Sequence, residues 1–233
     1  MNITISDFSR TELMQVREAH HGAIRLIRRA YYMLHDFITP GRILSSRQRQ
    51  LVENSLFASF LSNSSNIRAH THISNYDMQF RLIHLNLQRL HRHASHFEVH
   101  RLASALDGDD FIRGEGASIE IYAESVGVHS HRRIPVENRP YIILYDPFFS
   151  TSYSNRLRII IHELCHNILG FTNPRSFRNP NVHSHSNDIY ITNWNVFNAM
   201  SFAQSIRNPD KHAYFILLLS EITLEITNTY TIN

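Results

Sequence analysis

The chain has 233 residues, 42% of them hydrophobic, which is enough for one domain with a buried core. No apolar stretch approaches the roughly 20 residues of a bilayer-spanning helix, and the first residues lack a basic leader, so we expect no membrane span and no cleaved secretory signal. The net charge of +3 is modest, and the single cysteine excludes an internal disulfide framework and suits a reducing compartment.

The first half of the sequence has the pattern of three helices. A capping box at 9–12 (Ser-Arg-Thr-Glu) precedes apolar residues at helical spacing, until the Pro-Gly pair at 40–41 interrupts them. A second helix is predicted over residues 46–61. A third is predicted over 74–102.

From about residue 107 the pattern changes to short strands and loops. Gly114 and Gly116 punctuate this region, and the alternation at 118–122 predicts a strand. Residues 141–145 (Tyr-Ile-Ile-Leu-Tyr) predict a stronger strand, which an Asp-Pro pair ends.

Three more helices are predicted after these strands. The first covers residues 155–169 and ends at Gly170, a residue type that favours the left-handed helix terminus. A loop over 171–190 precedes the last two, over 195–206 and 209–228.

This order of elements predicts an α+β fold that is mostly helical, with a small sheet before the helix over 155–169. Residues 1–106 are expected to form a helical part that packs on or extends a second part, residues 107–233. The two parts are expected to make one continuous domain.

The chemistry of the second part is indicated by His162-Glu163-Leu164-Cys165-His166. Residues four apart lie on one face of a helix, so His162 and His166 can reach one metal ion. Glu163 is turned by about 100° from His162, which lets it bond a metal-bound water without being a ligand. Zinc with three protein ligands lowers the pKa of that water to about 7, so Glu163 would act as general base. The flanking residues are apolar, and burying these polar groups there without a metal would be costly.

The sequence leaves the third zinc ligand open. Asp188 is the first carboxylate after the motif and would complete a site with two histidines, or it caps a turn. Tyr190 could donate its phenol hydrogen to the oxyanion of the reaction, or it packs as an ordinary aromatic residue. His183 and His185 are the reserve ligands. Cys165 is expected to face the core as a small apolar residue rather than act as a ligand or nucleophile.

The HExxH helix with a later Asp188 and Tyr190 resembles the aspzincins, a zincin family of metalloproteases with the pattern Gly-Thr-x-Asp-x-x-Tyr-Gly. Here Tyr190 follows Asp188 by two positions rather than three, and the flanking glycines are absent. Residues 113–206 also resemble the NleC and NleD type of zinc metalloprotease that bacteria inject into host cells, through the Gly-rich segment at 114–116 and the strand end at 143–147. The resemblance implies a zinc endopeptidase that cleaves a host signalling protein. It also implies secretion without a cleaved signal peptide and action in the host cytosol.

Arginine supplies almost all of the positive charge, because Lys211 is the only lysine among 23 basic residues. Mutational bias would produce this, and so would selection against ubiquitin acceptors in a protein that works inside a eukaryotic host. The basic clusters at 25–29 and 89–101 form a solvated surface or dock an acidic partner. His96 and His100, four apart on the predicted third helix, could bind a second metal ion.

Two other functions stay open at this point. One is zinc-dependent hydrolysis of a non-peptide amide, which uses the same chemistry at the metal. The other is a basic helical protein that binds an acidic partner, with a structural or accidental HExxH. A nucleic-acid partner is not expected, because the sequence shows no known nucleic-acid module.

Overall fold

The computed structural model describes residues 8–61, 77–95, 98–101, 123–126, 141–144, 146–171 and 194–222. Its elements in chain order are α1 (Arg10–Ile38), α2 (Ser46–Leu56), α3 (Asp77–His93), β1 (Glu98–Arg101), β2 (Ala123–Val126), β3 (Tyr141–Leu144), α4 (Asp146–Ser150), α5 (Tyr153–Leu169), α6 (Trp194–Ala199), α7 (Phe202–Ser205) and α8 (Pro209–Leu218). A π-helical turn, Phe57–Leu61, continues α2. Helices predominate among the described residues, which confirms the prediction of a mostly helical chain.

One hydrophobic core joins helices from both ends of the chain. Helix α5 contacts α1, α3 and α8, and all four helices contribute buried apolar side chains. Ile27 of α1, Leu87 of α3, Ile161 of α5 and Phe215 of α8 are fully buried examples. Within the part of the chain that the structure describes, none of the helices is long and apolar enough to span a bilayer.

Three short strands form a sheet in the order β1-β3-β2. Strand β1 runs parallel to β3, and β2 runs antiparallel to it. Val99 of β1 lies opposite Ile142 of β3, and both side chains are buried. Strands β2 and β3 both lie beside α5. The strand predicted over 141–145 coincides with β3, whereas the one predicted over 118–122 and the glycines at 114 and 116 lie outside the described residues.

The prediction of a continuous helix over 74–102 is wrong at its carboxyl end. Helix α3 ends at His93, and the chain then enters β1, where backbone pairing with β3 replaces helical hydrogen bonds. His100 therefore lies in a strand, so its spacing of four from His96 does not place the two on one helix face. His96 itself lies outside the described residues.

The predicted helix over 195–206 is two helices in the structure. Ser201 caps α7: its hydroxyl accepts from the Gln204 backbone N–H, and the Gln204 side chain accepts from the Ser201 backbone N–H. This reciprocal cap starts a new helix and interrupts the run. The last predicted helix, over 209–228, is observed as α8, which ends at Leu218.

Gly22 of α1 packs against the side chains of Tyr153 and Leu157 of α5, and a side chain at this position is expected to destabilise the fold. A Cβ at this position would lie 2.5 Å from Tyr153 Oη and 2.6 Å from Leu157 Cδ2. Leu157 is 1% exposed and has no room to withdraw. Gly22→Ala is therefore expected to lower the free energy of unfolding by about 1–3 kcal/mol, although alanine favours helix. Urea unfolding measures this change.

The double variant Gly22→Ala/Tyr153→Phe is the matched test of this packing. Tyr153→Phe removes the hydroxyl oxygen that the new Cβ would meet. Gly22→Ala is therefore expected to cost less stability in the Tyr153→Phe background than in the wild type. A Gly22→Ala protein as stable as the wild type would contradict the close approach of α1 and α5.

Candidate metal centre

Helix α5 carries His162, Glu163 and His166 in its second half. Its first turn is capped by Ser152, whose hydroxyl accepts from the Asn155 backbone N–H, and it ends where Gly170 adopts a left-handed conformation with φ of 67°. The prediction of a helix ending at Gly170 is thereby confirmed. His162 is 5% exposed and Glu163 is 7% exposed, whereas His166 is half-buried.

The first histidine is held by a carboxylate from α8. His162 Nδ1 lies 2.8 Å from Asp210 Oδ1. Arg158 Nη1, one turn earlier on α5, lies 2.8 and 2.9 Å from the two oxygens of the same carboxylate. Asp210 is 1% exposed, and its carboxylate is paired with the Arg158 guanidinium in this buried place. Because a carboxylate can only accept, His162 Nδ1 carries the hydrogen.

The second histidine is held by a backbone carbonyl. His166 Nδ1 contacts the carbonyl oxygen of Phe171, which the turn at Gly170 brings back against the helix end. A carbonyl oxygen also only accepts, so His166 Nδ1 is the donor. A neutral His166 ring therefore has its lone pair on Nε2, as does a neutral His162 ring.

These two Nε2 atoms face each other at a distance of 3.0 Å. Two lone pairs at that distance repel, and a metal ion between them would bind both. Two nitrogens bound to one tetrahedral zinc ion at about 2.0–2.1 Å lie roughly 3.3 Å apart. The observed 3.0 Å is slightly shorter, so the two rings would move apart by a few tenths of an ångström to bind the ion. The bonds from Nδ1 to Asp210 and to the Phe171 carbonyl are those that orient metal-binding histidines.

Asp210 and the Phe171 carbonyl are the parts of this site that sequence reasoning missed. Asp210 has a local explanation, since an acidic residue in the first turn of a helix favours the helix dipole. This local role gives no indication that Asp210 also contacts His162. The flanking residues Asn208, Pro209, Lys211 and His212 do not indicate a contact between this carboxylate and α5.

The predicted third ligand and its alternatives lie outside the described residues. Asp188, Tyr190, His183 and His185 all fall in the interval between α5 and α6. Among the described residues, no group of three or more His, Cys, Asp or Glu side chains is arranged to hold a metal ion. The described part of the site therefore consists of two convergent imidazoles and the groups that orient them.

Cys165 lies within the motif but faces the core. Its side chain is fully buried, and burial raises the pKa of the thiol well above its usual value, with smaller contributions from the charges of Asp210 and Glu163. A thiol in this state stays protonated and is a poor nucleophile and metal ligand. The structure thus agrees with its expected role as a small apolar residue.

Comparison with models of known protein families, with curated proteins and with solved structures finds no match to this chain.

Proposed function

We propose that the chain is a zinc-dependent endopeptidase with a zincin-like arrangement, in which the small sheet precedes the metal-binding helix α5. This proposal rests on the two Nε2 atoms of His162 and His166, which face each other 3.0 Å apart. The Nδ1 atom of each ring donates a hydrogen bond to another group. A neutral structural pair with one hydrogen bond between the rings would leave one outer nitrogen without a hydrogen. Here acceptors lie at both outer nitrogens, an arrangement that directs both inner lone pairs to a common point.

The proposed ligand set is His162, His166 and Asp188, with His183 or His185 as the alternative third ligand. Zinc bound there would acidify a water molecule and polarise a peptide carbonyl. Glu163, next to His162 on the buried helix, takes the proton from the attacking water and delivers it to the leaving amine. Tyr190 donates a hydrogen bond to the developing oxyanion.

The sheet supports a protein substrate rather than a small amide. Strand β2 is at one end of the order β1-β3-β2 and lies beside α5. An extended peptide that lies along such a strand would bring its scissile bond to the helix that carries the motif. We propose a host signalling protein as the substrate, with the chain acting as an injected bacterial effector in the host cytosol. The near-absence of lysine supports that setting.

Mapping of new protein amino termini tests the endopeptidase. A lysate of eukaryotic cells is treated with zinc-loaded protein, with chelator-stripped protein and with stripped protein resupplied with zinc. The proposal expects a small set of new termini that disappears on stripping and returns with zinc. The same termini in all three samples would overturn it, because cleavage would then be independent of the metal.

Asp210→Asn is expected to lower zinc affinity by about 10–100-fold, the usual effect of removing an orienting partner of a histidine ligand. The amide keeps the size of the side chain but loses the charge that faces His162 and Arg158. Competition with a chromophoric chelator measures the affinity. Asp36→Asn, on α1 and away from the site, is the control and should bind zinc as the wild type does. Equal affinities in the two variants would show that Asp210 does not orient a ligand.

A binding function for the basic helices is the second candidate. Arg25, Arg28 and Arg92 are exposed, and the pKa of His91 is lowered by burial and also by the charges of Arg28 and Arg92. That positive potential favours an acidic partner. The binding function predicts association that weakens steeply with added salt and is unaffected by removal of metal.

A further inference from the structure

We propose that the native fold protects Lys211, the only lysine of the chain, from acylation by activated thioesters such as that of ubiquitin. Unfolding of α8 exposes the amine and makes it an acceptor. The sequence offers no other lysine, so the state of this one residue decides whether the chain can be conjugated at lysine. This inference does not rest on the proposed zinc chemistry.

The Lys211 side chain is completely covered, although lysine is among the residues least often buried. Its Nζ lies 3.8 Å from the centroid of the Phe197 ring, which is itself fully buried. Within the described residues Nζ has no hydrogen-bond partner. The ammonium is therefore held against an aromatic face inside the protein rather than by an ion pair at its edge.

The first turn of α8 is anchored on both sides of Lys211. Asp210 is bonded to His162 and Arg158 of α5, and His212 Nε2 lies 3.2 Å from the Asn86 side chain of α3. The Lys211 backbone N–H itself donates to the Asn208 side chain that caps the helix. Moving Lys211 to the surface would break these contacts, so its amine becomes available only when the start of α8 comes apart.

Acyl transfer requires direct contact between the lysine amine and the thioester carbonyl, which the burial of Lys211 prevents. A neutral amine must attack the thioester carbonyl, an amide bond forms, the thiol departs, and the amine gives up a proton to solvent. A buried Nζ covered by Phe197 cannot reach a carbonyl on another protein. Burial does lower the pKa of Lys211 to about 8, but this raises the neutral fraction only where no reagent can enter.

Composition and burial together keep lysine off the surface of the folded chain. Twenty-two of the 23 basic residues are arginine, and the one lysine is the one that no conjugating enzyme can reach in the folded chain. Selection against conjugation would leave this pattern, because a buried lysine is not exposed to it. The folded protein would be spared, whereas an unfolded copy would be tagged.

Amine acylation followed by peptide mapping tests the proposal directly. Full-length protein is treated with an acetyl N-hydroxysuccinimide ester, in buffer and in denaturing urea, and Lys211 is scored apart from the amino terminus. Arg25→Lys, on the exposed face of α1, supplies a matched surface amine. In buffer, acetylation at position 25 of the variant is expected to be at least tenfold faster than at Lys211, and in urea the two rates should converge. Comparable rates in buffer would overturn the proposal.

A reconstituted ubiquitination reaction extends the test to the enzymatic step. Folded wild type is expected to gain no conjugate at Lys211, folded Arg25→Lys to be conjugated at position 25, and heat-unfolded wild type to be conjugated at Lys211. Conjugation of Lys211 in folded protein would overturn the proposal. So would an unfolded wild type that resists conjugation when unfolded Arg25→Lys accepts it at position 25.

Discussion

Replacing Glu163 by alanine is expected to abolish cleavage while leaving zinc bound. A positioned general base contributes about 10²–10⁴-fold to such a rate, so the new amino termini should appear at least 100-fold more slowly. Zinc should stay, because His162 and His166 keep their Nε2 geometry and their outer partners. The rate of substrate cleavage and the zinc content, measured on the same preparation, separate these two effects.

The control for Glu163→Ala is Glu18→Ala, which removes an exposed carboxylate from α1. Both variants should unfold in the same range of urea as the wild type, so that a loss of cleavage reports chemistry rather than folding. Cleavage that persists at more than a tenth of the wild-type rate in Glu163→Ala would remove Glu163 from the role of general base.

Acidification from pH 7 to pH 4 is expected to cost the fold about 3 kcal/mol for each of two buried histidines. Burial lowers the pKa of His20 and of His212 from 6.5 to about 4. Well above pH 6.5 both side chains are neutral in the folded and the unfolded chain, and they contribute nothing to the pH dependence. Between pH 6.5 and 4 only the unfolded chain takes up these protons, so the free energy of unfolding falls with pH.

Neither histidine has an acidic partner in its described contacts that would offset this loss. His20 Nε2 lies 3.2 Å from the Ala94 carbonyl oxygen, and its Nδ1 has no partner in the described part of the chain. His212 Nδ1 lies 3.1 Å from the Asn208 carbonyl oxygen, which a neutral ring already satisfies. Burial likewise lowers the pKa of His84, so this residue adds in the same direction.

Urea unfolding at pH 7, 6, 5 and 4, in the presence of a chelator, measures the pH dependence without bound metal. His20→Phe removes one titrating ring and keeps its bulk, so the loss of stability between pH 7 and 4 should shrink by about 3 kcal/mol. Arg25→Gln removes an exposed charge on α1 that does not titrate between pH 7 and 4, and it should leave the slope unchanged. Parallel curves for the wild type and His20→Phe would contradict the burial of a neutral His20.

Features determined by neighbouring residues could be predicted from the sequence. The capping box at the start of α1 needs only Ser9 and Glu12, and the end of α5 needs only Gly170. The two imidazoles converge because their spacing of four is a property of any helix. These predictions did not depend on how the helices pack.

Features determined by distant residues could not be predicted. Asp210 reaches His162 only because α8 packs on α5, and no spacing in the sequence announces that contact. Helix α3 stops at His93 because the following residues find a partner strand in β3, far along the chain. The burial of Lys211 against Phe197 is a result of the same kind of packing, and no neighbouring residue in the sequence indicates it.

The most direct test of the metal centre is the zinc content of untagged wild type, His166→Ala and His35→Ala, measured by mass spectrometry of the folded proteins after dialysis. His35 is half-buried on α1, where its Nδ1 lies 3.3 Å from His84 Nε2, so its replacement controls for loss of a histidine at a helix contact. The account predicts one zinc per chain in wild type and His35→Ala and less than a tenth of that in His166→Ala. Folded wild type without zinc, or His166→Ala with a full complement, would contradict it.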